Sequence, residues 1–430
     1  MRTDPSTPFL DAAAAIGGRL CRDAIWHGAR CNWVGDGLEP TGAQWLPVRR
    51  ALGPALYDGA AGIGLFLAEL HAATGEAPFR TAARGALALA VTRRGDLNPS
   101  TRVALHTGLA GIAWAVARAG MAMDDDELRE VAAALAAELA GVEPAEGAVD
   151  VISGSAGAVP AMLGLARATG VGALADAAVR HGDFLLGLAL PGPSGTAWPS
   201  PGVESSAPLT GYSHGASGVA LALLELAHAT GEARFGAAAR EGFRYERALL
   251  DARQGNWPDL RVIEAGAVSP APVCGVAWCH GAPGIGLARL RAMRLAPDDE
   301  LAADANVALQ TTSRVIRESI DAPGGGFSLC HGHAGNAETL LAAHTATGGG
   351  EYLEFAREVG RRGIALYESR DLPWPGGVPG GATPSLMLGD AGIGHFLLRL
   401  HDPSATPSIV LVEPESLAVP APRPATAAYN

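Results

Sequence analysis

The feature that most constrains the fold of this chain is a repeated glycine motif. Seven segments contain two glycines separated by two residues, Gly-X-X-Gly, and each is followed by about a dozen largely apolar residues. A motif that recurs at intervals of 46 to 66 residues is typical of proteins built from repeated structural units. The seven leading glycines are Gly59, Gly108, Gly154, Gly215, Gly281, Gly332 and Gly389.

Each apolar run is expected to form a buried helix that begins at its glycine turn. Several runs end on Thr-Gly, where glycine suits the left-handed conformation that ends many helices. The stretches between the runs, such as 232–252, alternate charged and apolar residues with helical periodicity and are expected to be outer helices. The sequence therefore predicts an all-α protein, an α/α toroid of seven inner and seven outer helices. An open helical solenoid is the alternative, but it needs polar end caps and none stands out.

Composition excludes several classes of function and location. The formal net charge is -12 and no basic stripe is visible, which argues against a nucleic-acid partner. No apolar stretch is long enough to span a bilayer, and the first ten residues do not resemble a secretory signal. We therefore predict a cytoplasmic protein. Its five cysteines, an odd number, are expected to be reduced thiols and possible metal ligands.

Cysteine and histidine residues precede three consecutive glycine turns. In a ring, the seven turns should lie at one end of the axis, because glycine lets neighbouring backbones approach closely. His214, His280 and His331 directly precede the turns of the fourth, fifth and sixth repeats, and Cys279 and Cys330 stand one position earlier in the last two. Two thiols and one imidazole leave the fourth position of a tetrahedral zinc site open, as in catalytic sites. Spacing alone leaves His280 and His331 both possible as the third ligand.

Other polar residues have weaker claims to a role. Asp150 lies four residues before Gly154 and can reach the same end of the ring, although a capping aspartate is an equally good interpretation. The remaining residues of interest are interpreted as structural, with Tyr212 and Trp278 either lining a pocket or filling the core. They are Cys21, Cys31, Cys274, His106, His333, His395, Tyr212 and Trp278.

Together these motifs resemble the lanthionine cyclases, the LanC-like family. The resemblance extends from about residue 7 to 412 and looks closest to the C-terminal cyclase half of class II lanthionine synthetases. The chain is accordingly expected to be a stand-alone cyclase or an excised domain. The segments that carry the resemblance are LYDGAAGIGLFLAEL, GYSHGASG, WCHGAPGIG, SLCHGHAGN and PSLMLGDAGIG.

The resemblance implies an α/α-toroid cyclase domain over residues 1–412. Residues 413–430 are rich in proline and alanine, so we expect a disordered tail there. The resemblance also implies one zinc ion held by Cys279, Cys330 and His331, which selects His331 as the third ligand.

The catalytic residues implied are His214 as acid or base, with His280 as second choice, and Asp150 as its helper. The implied reaction adds a peptide cysteine thiol to dehydroalanine or dehydrobutyrine and forms a thioether ring. Its partners would be a dehydrated precursor peptide with a leader and a dehydratase. One departure concerns Gly275, where some members carry an arginine four residues before the first zinc cysteine. Alternatives are addition of glutathione to dehydrated residues, a prenyltransferase-like toroid and a non-catalytic peptide-binding toroid.

Overall fold

A computed structural model describes residues 6–41, 44–261, 273–322 and 325–417. Fourteen α-helices lie within these residues, and they account for about half of the chain. Their bounds are α1 Thr7–Asp23, α2 Ala60–Thr74, α3 Ala77–Thr92, α4 Leu109–Ala122, α5 Asp126–Ala140, α6 Ser155–Thr169, α7 Ala173–Gly187, α8 Ala216–Thr230, α9 Ala233–Arg247, α10 Ala282–Leu295, α11 Asp299–Ser319, α12 His333–Thr347, α13 Gly350–Leu366 and α14 Asp390–His401.

The helices form a closed double ring. Each of the seven even-numbered helices begins at a glycine turn and packs against the next one, and α14 packs against α2 to close the inner ring. Helices α3, α5, α7, α9, α11 and α13 each follow and cover an inner helix, and α1 covers α14. The first helix of the chain is thus the outer partner of the last. This arrangement confirms the predicted toroid of seven inner and seven outer helices and excludes an open solenoid.

Three short antiparallel hairpins, which the all-α prediction did not include, stand between the helices. Four of their strands have only three residues, too few for an alternating apolar pattern to be recognised. The longer pair contains glycine and proline, which are uncommon in strands. The strands are β1 Ile25–His27 with β2 Arg30–Asn32, β3 Val34–Thr41 with β4 Gln44–Ala51, and β5 Leu190–Gly192 with β6 Gly195–Ala197.

Glycine is required in the turns because the backbone crosses the first turn of each inner helix at very close range. A Cβ atom built on Gly111 would lie far less than 3.0 Å from the carbonyl oxygen of Leu105, and one on Gly335 would meet Leu329 in the same way. The same contact recurs in all seven repeats. In each one, a Cβ on the second glycine of the motif would meet the carbonyl oxygen of the residue that stands three positions before the first glycine. The motif is therefore a steric requirement of this crossing.

The three residues before each leading glycine, here called a pre-turn segment, join into a ring around the axis. Backbone groups make most of the links, and the hydroxyl groups of Thr107 and Ser213 make the other two. The seven hydrogen bonds run from Tyr57 N to His106 O (2.9 Å), Thr107 Oγ1 to Ile152 O (3.3 Å), Val151 N to Ser213 O (3.1 Å), Ser213 Oγ to Cys279 O (2.9 Å), Cys279 N to Cys330 O (3.3 Å), Cys330 N to Met387 O (3.0 Å) and Met387 N to Tyr57 O (2.9 Å). All seven pre-turn segments therefore lie at one end of the toroid, as the sequence predicted.

The chain after α14 closes the opposite end. Residues 409–412 are buried, and the guanidinium of Arg118 donates to the carbonyl oxygen of Pro407 over 3.1 Å. Buried ion pairs between glutamate and arginine join inner helices at this end, although the sequence suggested nearly continuous apolar runs. They are Glu69 with Arg118, Glu225 with Arg291, and Glu338 with Arg399.

The packed chain extends five residues beyond the predicted domain boundary. The disordered tail was expected to start at residue 413, but Pro414–Leu417 form a 3-10 turn with both end residues buried. An ion pair of 2.5 Å between Glu415 and Arg291 fixes this turn to α10. The rest of the predicted tail, 418–430, lies outside the described residues. Among the described residues, no helix is long and apolar enough to cross a membrane.

We expect Gly111→Ala to lower the free energy of unfolding by about 1 to 3 kcal/mol, the usual cost of overpacking a well-packed interior. Gly18→Ala is the matched control, because a Cβ on this residue of α1 meets nothing within 4 Å. That change should be neutral or stabilise by up to about 1 kcal/mol. Urea unfolding of both variants measures the difference, and equal stabilities would refute the steric account of the motif.

Candidate active site

The predicted zinc ligands converge at the mouth of the ring. Cys279 and Cys330 belong to neighbouring pre-turn segments, and His331 follows Cys330. The two sulfur atoms and a ring nitrogen of the histidine lie within 4.8 Å of one another. The hydrogen bond between the two cysteines holds the pKa of Cys279 well below its usual range and raises that of Cys330 well above it. This cluster could hold a metal ion.

The His331 ring is oriented by the loop after α13. Its Nε2 lies 2.9 Å from the carbonyl oxygen of Gly377, which leaves Nδ1 for the side of the cysteines. A Cβ atom at position 377 would stand 2.7 Å from Nε2, so only glycine allows this approach. Histidine ligands of metals usually donate their second ring nitrogen to such a carbonyl. This role of Gly377 was not predicted, because the residue lies in a Gly and Pro rich stretch that is typical of loops.

His214 and Asp150 form a second pair beside the cluster. The Nδ1 atom of His214 lies 2.6 Å from Oδ2 of Asp150, and the other carboxylate oxygen accepts a hydrogen bond from the backbone N–H of Ser153 over 2.6 Å. Burial acts to lower the pKa of His214, but the hydrogen bond and charge of Asp150 outweigh it, so the pKa is raised. The carboxylate therefore favours the protonated imidazole and points Nε2 away from itself.

His280 stands near His214 but outside the ligand cluster. The two ring centroids are 5.9 Å apart. Burial lowers the pKa of His280, against the charge of Cys279, which raises it. The structure thus brings all six predicted site residues to one end of the toroid. The pKa of His214 is shifted upward there and that of His280 downward.

Tyr57 is a site residue that the sequence analysis missed. It lies in the first pre-turn segment, where burial and then the charge of Cys330 raise its pKa well above the usual range. Tyr57 stands two positions before its leading glycine, as Cys279 and Cys330 do before theirs. Comparison of equivalent repeat positions could have identified it.

Arg261 is a second residue that was missed. Its positive charge acts on both thiols of the cluster, and Nη2 lies 2.6 Å from Oδ2 of the buried Asp259. Gly275, where some members of the resembled family carry an arginine, lies next to His280, and a Cβ there would stand 3.4 Å from Cβ of His280. In this chain a positive charge from a different segment acts on the thiols at longer range, and no sequence signal marks it.

The remaining candidates of the sequence analysis lie away from the ligand cluster or beneath it. Trp278 is buried below the ring, where its indole N–H donates to the carbonyl oxygen of Val410 over 2.8 Å, and Tyr212 packs edge-on against it. His106 packs between Tyr57 and Trp278, and burial lowers its pKa to about 4. The others pack elsewhere. Cys31 contacts α3, His395 lies 3.0 Å from Glu69, His333 packs on Phe327, and Cys21 and Cys274 are partly buried.

The fold and the site together define the class to which this chain belongs, an α/α toroid with a Cys, Cys, His cluster at one end. The profile of the family described as "Lanthionine synthetase C-like protein" matches residues 50–411. The chain therefore belongs to the lanthionine synthetase C-like family.

Two solved structures support the fold. Nisin cyclase superposes with a TM-score of 0.60 at 18% identity, covering 82% of this chain and 89% of that one. The GH76 α-mannanase BT2949 of Bacteroides thetaiotaomicron superposes with a TM-score of 0.50 at 9% identity, covering 93% and 98%. These likenesses show the toroid fold alone, since one fold carries unrelated functions. The function has to be argued from the site.

Asp150→Asn should lower the pKa of His214, because the variant removes the negative charge that favours the imidazolium. NMR titration of histidine-labelled protein measures this pKa, with His214→Asn used to assign the signal. Asp176→Asn on the exposed face of α7 removes the same charge from a distant position and should leave the pKa of His214 unchanged. An equal titration in Asp150→Asn and wild type would show that the carboxylate does not govern His214.

Proposed function

We propose that this protein is a zinc-dependent lanthipeptide cyclase. It adds cysteine thiols of a dehydrated precursor peptide to dehydroalanine or dehydrobutyrine and so forms lanthionine and methyllanthionine rings. The single observation that carries the proposal is the convergence of two thiols and an imidazole beside the His214 and Asp150 pair, in a chain of the LanC-like family. A dehydratase acting first on the leader-bearing peptide belongs to the same proposal.

The donor set fits zinc. Thiolate and imidazole ligands suit Zn²⁺ better than Mg²⁺ or Ca²⁺, and three protein ligands leave one tetrahedral position for a substrate. A free thiol with a pKa near 8.5 is only about 3% thiolate at neutral pH, and coordination to zinc would supply the ionised thiol that the addition needs. The carbonyl oxygen of Gly377 fixes the orientation of the His331 ring, and Cys330 is buried in the pre-turn ring.

His214 is the proton donor of this mechanism. When the sulfur attacks the β-carbon of the dehydro residue, negative charge develops on the enolate and the α-carbon must receive a proton. Asp150 occupies Nδ1 of His214, so Nε2 faces the substrate, and the raised pKa keeps a proton available there. Because burial lowers the pKa of His280, a smaller fraction of that imidazole carries a proton to donate, so it is the second choice.

A ring-closure assay tests the proposal. The probe is a synthetic peptide with one dehydroalanine and one cysteine, and loss of alkylation by N-ethylmaleimide reports the closed ring. We expect one zinc per chain and ring formation well above the rate of the peptide alone. Cys330→Ala should lose both zinc and activity, and chelation of wild type should abolish an activity that Zn²⁺ restores and Mg²⁺ does not. Protein without stoichiometric zinc, or full activity in Cys330→Ala, would refute the proposal.

A parallel reaction with added glutathione separates the nearest alternative. A cyclase closes the ring without it, whereas an enzyme that joins glutathione to dehydrated residues produces a heavier adduct only in its presence. A zinc-loaded protein that does neither would be a peptide-binding toroid. An adduct that forms only with glutathione, or the absence of both products, would exclude cyclisation as the function.

His214→Asn should slow ring closure about 10² to 10⁴-fold, the usual contribution of a positioned general acid. Zinc content should stay at the wild-type value, because His214 lies outside the ligand cluster. His228→Asn, at an exposed position of α8 in the same repeat, is the matched control and should retain the wild-type rate. Ring closure by His214→Asn at the normal rate would remove this residue from the mechanism.

A further inference from the structure

Six of the seven glycine turns are closed by the same backbone hydrogen bond. The N–H of the residue after the leading glycine donates to the carbonyl oxygen of the residue seven positions earlier, over 2.7 to 3.2 Å. The leading glycine of each of these turns is extended, with φ between -146° and -115°. The donor and acceptor residues are Ala60 with Gly53, Leu109 with Arg102, Ser155 with Ala148, Ala216 with Leu209, His333 with Gly326, and Asp390 with Thr383.

The fifth turn, residues 275–282, is closed by a side chain instead. The N–H of Ala282 donates to Oδ1 of Asn256 over 2.8 Å, and Nδ2 of Asn256 donates to the carbonyl oxygen of Gly275 over 2.9 Å. The carboxamide thus stands between the two positions that bond directly in the other six turns. The leading glycine, Gly281, has a φ of 84°, a left-handed value that only glycine adopts at low cost. The fifth turn therefore has a wider backbone conformation of its own.

Asn256 is fixed by its surroundings. It lies in the loop after α9, is only 2% exposed, and its backbone carbonyl oxygen accepts from the N–H of Asp251 over 2.9 Å. Its Oδ1 accepts a second hydrogen bond, from the N–H of Trp257 over 2.9 Å. Because two N–H groups face Oδ1 and a carbonyl oxygen faces Nδ2, the partners determine which way the carboxamide points.

The fifth and sixth turns carry the same Cys-His-Gly triplet but place its histidine differently. Both cysteines belong to the ligand cluster, together with His331 of the sixth turn. His280 of the fifth turn lies beside His214 instead, with ring centroids 5.9 Å apart. The backbone of the triplets differs at the glycine, since φ is -118° at Gly332 and 84° at Gly281. The difference between the two histidines therefore coincides with the turn that Asn256 closes.

We propose that Asn256 is a positioning residue of the metal centre. Its carboxamide holds the fifth turn in the conformation that brings the sulfur of Cys279 into the ligand cluster and keeps the ring of His280 outside it. Asn256 thereby decides which of two equivalent histidines joins the ligands. The inference rests on the metal site of the proposed function and does not depend on the reaction performed there.

Two substitutions of Asn256 test this role. Asn256→Ala removes the whole bridge, whereas the nearly isosteric Asn256→Asp keeps an acceptor for Ala282 and replaces the donor to Gly275 by an oxygen. The second variant keeps the test available if the first does not fold. Asn32→Ala is the matched control, because Nδ2 of this half-buried residue of β2 donates to the carbonyl oxygen of Leu52 over 3.0 Å. It removes a similar hydrogen bond outside the fifth turn.

Zinc affinity is measured by competition with a chelator, and the ligand-field absorption of the Co²⁺-loaded protein reports the arrangement of the donor atoms. We expect zinc to bind about 10-fold or more weakly in both Asn256 variants, the usual effect of removing a group that orients a ligand. The Co²⁺ bands should shift in both. Asn32→Ala should match wild type in affinity and spectrum even where urea unfolding shows an equal loss of stability. Wild-type affinity and spectrum in either Asn256 variant would overturn the proposal.

The choice between the two histidines is tested by His280→Ala in two backgrounds. In the wild-type background this change should leave zinc affinity unchanged, because His280 lies outside the cluster. In the Asn256→Ala background it should weaken zinc binding further, because the released turn lets this imidazole reach the metal, and the two substitutions are then not additive. An effect of His280→Ala in the wild-type background, or none in the Asn256→Ala background, would contradict the proposal.

These measurements need no peptide, so they separate the two proposals. A protein that binds zinc, responds to the Asn256 variants as described and forms no thioether would contradict the cyclase function alone. A protein that closes rings normally and binds zinc equally well in Asn256→Ala would contradict the role of Asn256 alone.

Discussion

The seven inner helices surround one axis, and the chain segments that lead into them lie edge to edge at one end of it. In this toroid those segments are joined by seven hydrogen bonds into a closed ring, and glycine at the second motif position lets each segment cross its own helix. The ring fixes the spacing of every side chain that points from it. Cys279 and Cys330 reach the same point because their backbones are bonded to each other.

The two ends of the toroid solve different electrostatic problems. At the closed end, buried ion pairs such as Glu69 with Arg118 satisfy charges that water cannot reach. At the other end, the two thiols and the imidazole of the cluster lie close together, near the pair formed by His214 and Asp150. There the carboxylate of Asp150 raises the pKa of His214, while burial lowers the pKa of His280. Two histidines from neighbouring repeats therefore have pKa values shifted in opposite directions. Such a difference lets one site hold a protonated and a neutral imidazole together.

Repetition explains why so much of the fold was predictable. Each Gly-X-X-Gly turn with its apolar run is a local signal, and seven such signals predict a ring before any contact is known. The hairpins were missed because strands of three residues carry no periodic pattern. The packing of residues 414–417 was not predicted because the ion pair between Glu415 and Arg291 joins positions 124 residues apart.

The sequence by itself determined the helical ring and the residue types at its mouth, because both follow from local patterns repeated at equivalent positions. Only the tertiary structure decided which atoms meet. The carbonyl oxygen of Gly377 that orients His331, the Tyr57 segment that is joined to Cys330 through Met387, and the charge of Arg261 come from parts of the chain that are far apart in sequence. Their contacts form only when the ring closes, and no local sequence pattern predicts that closure.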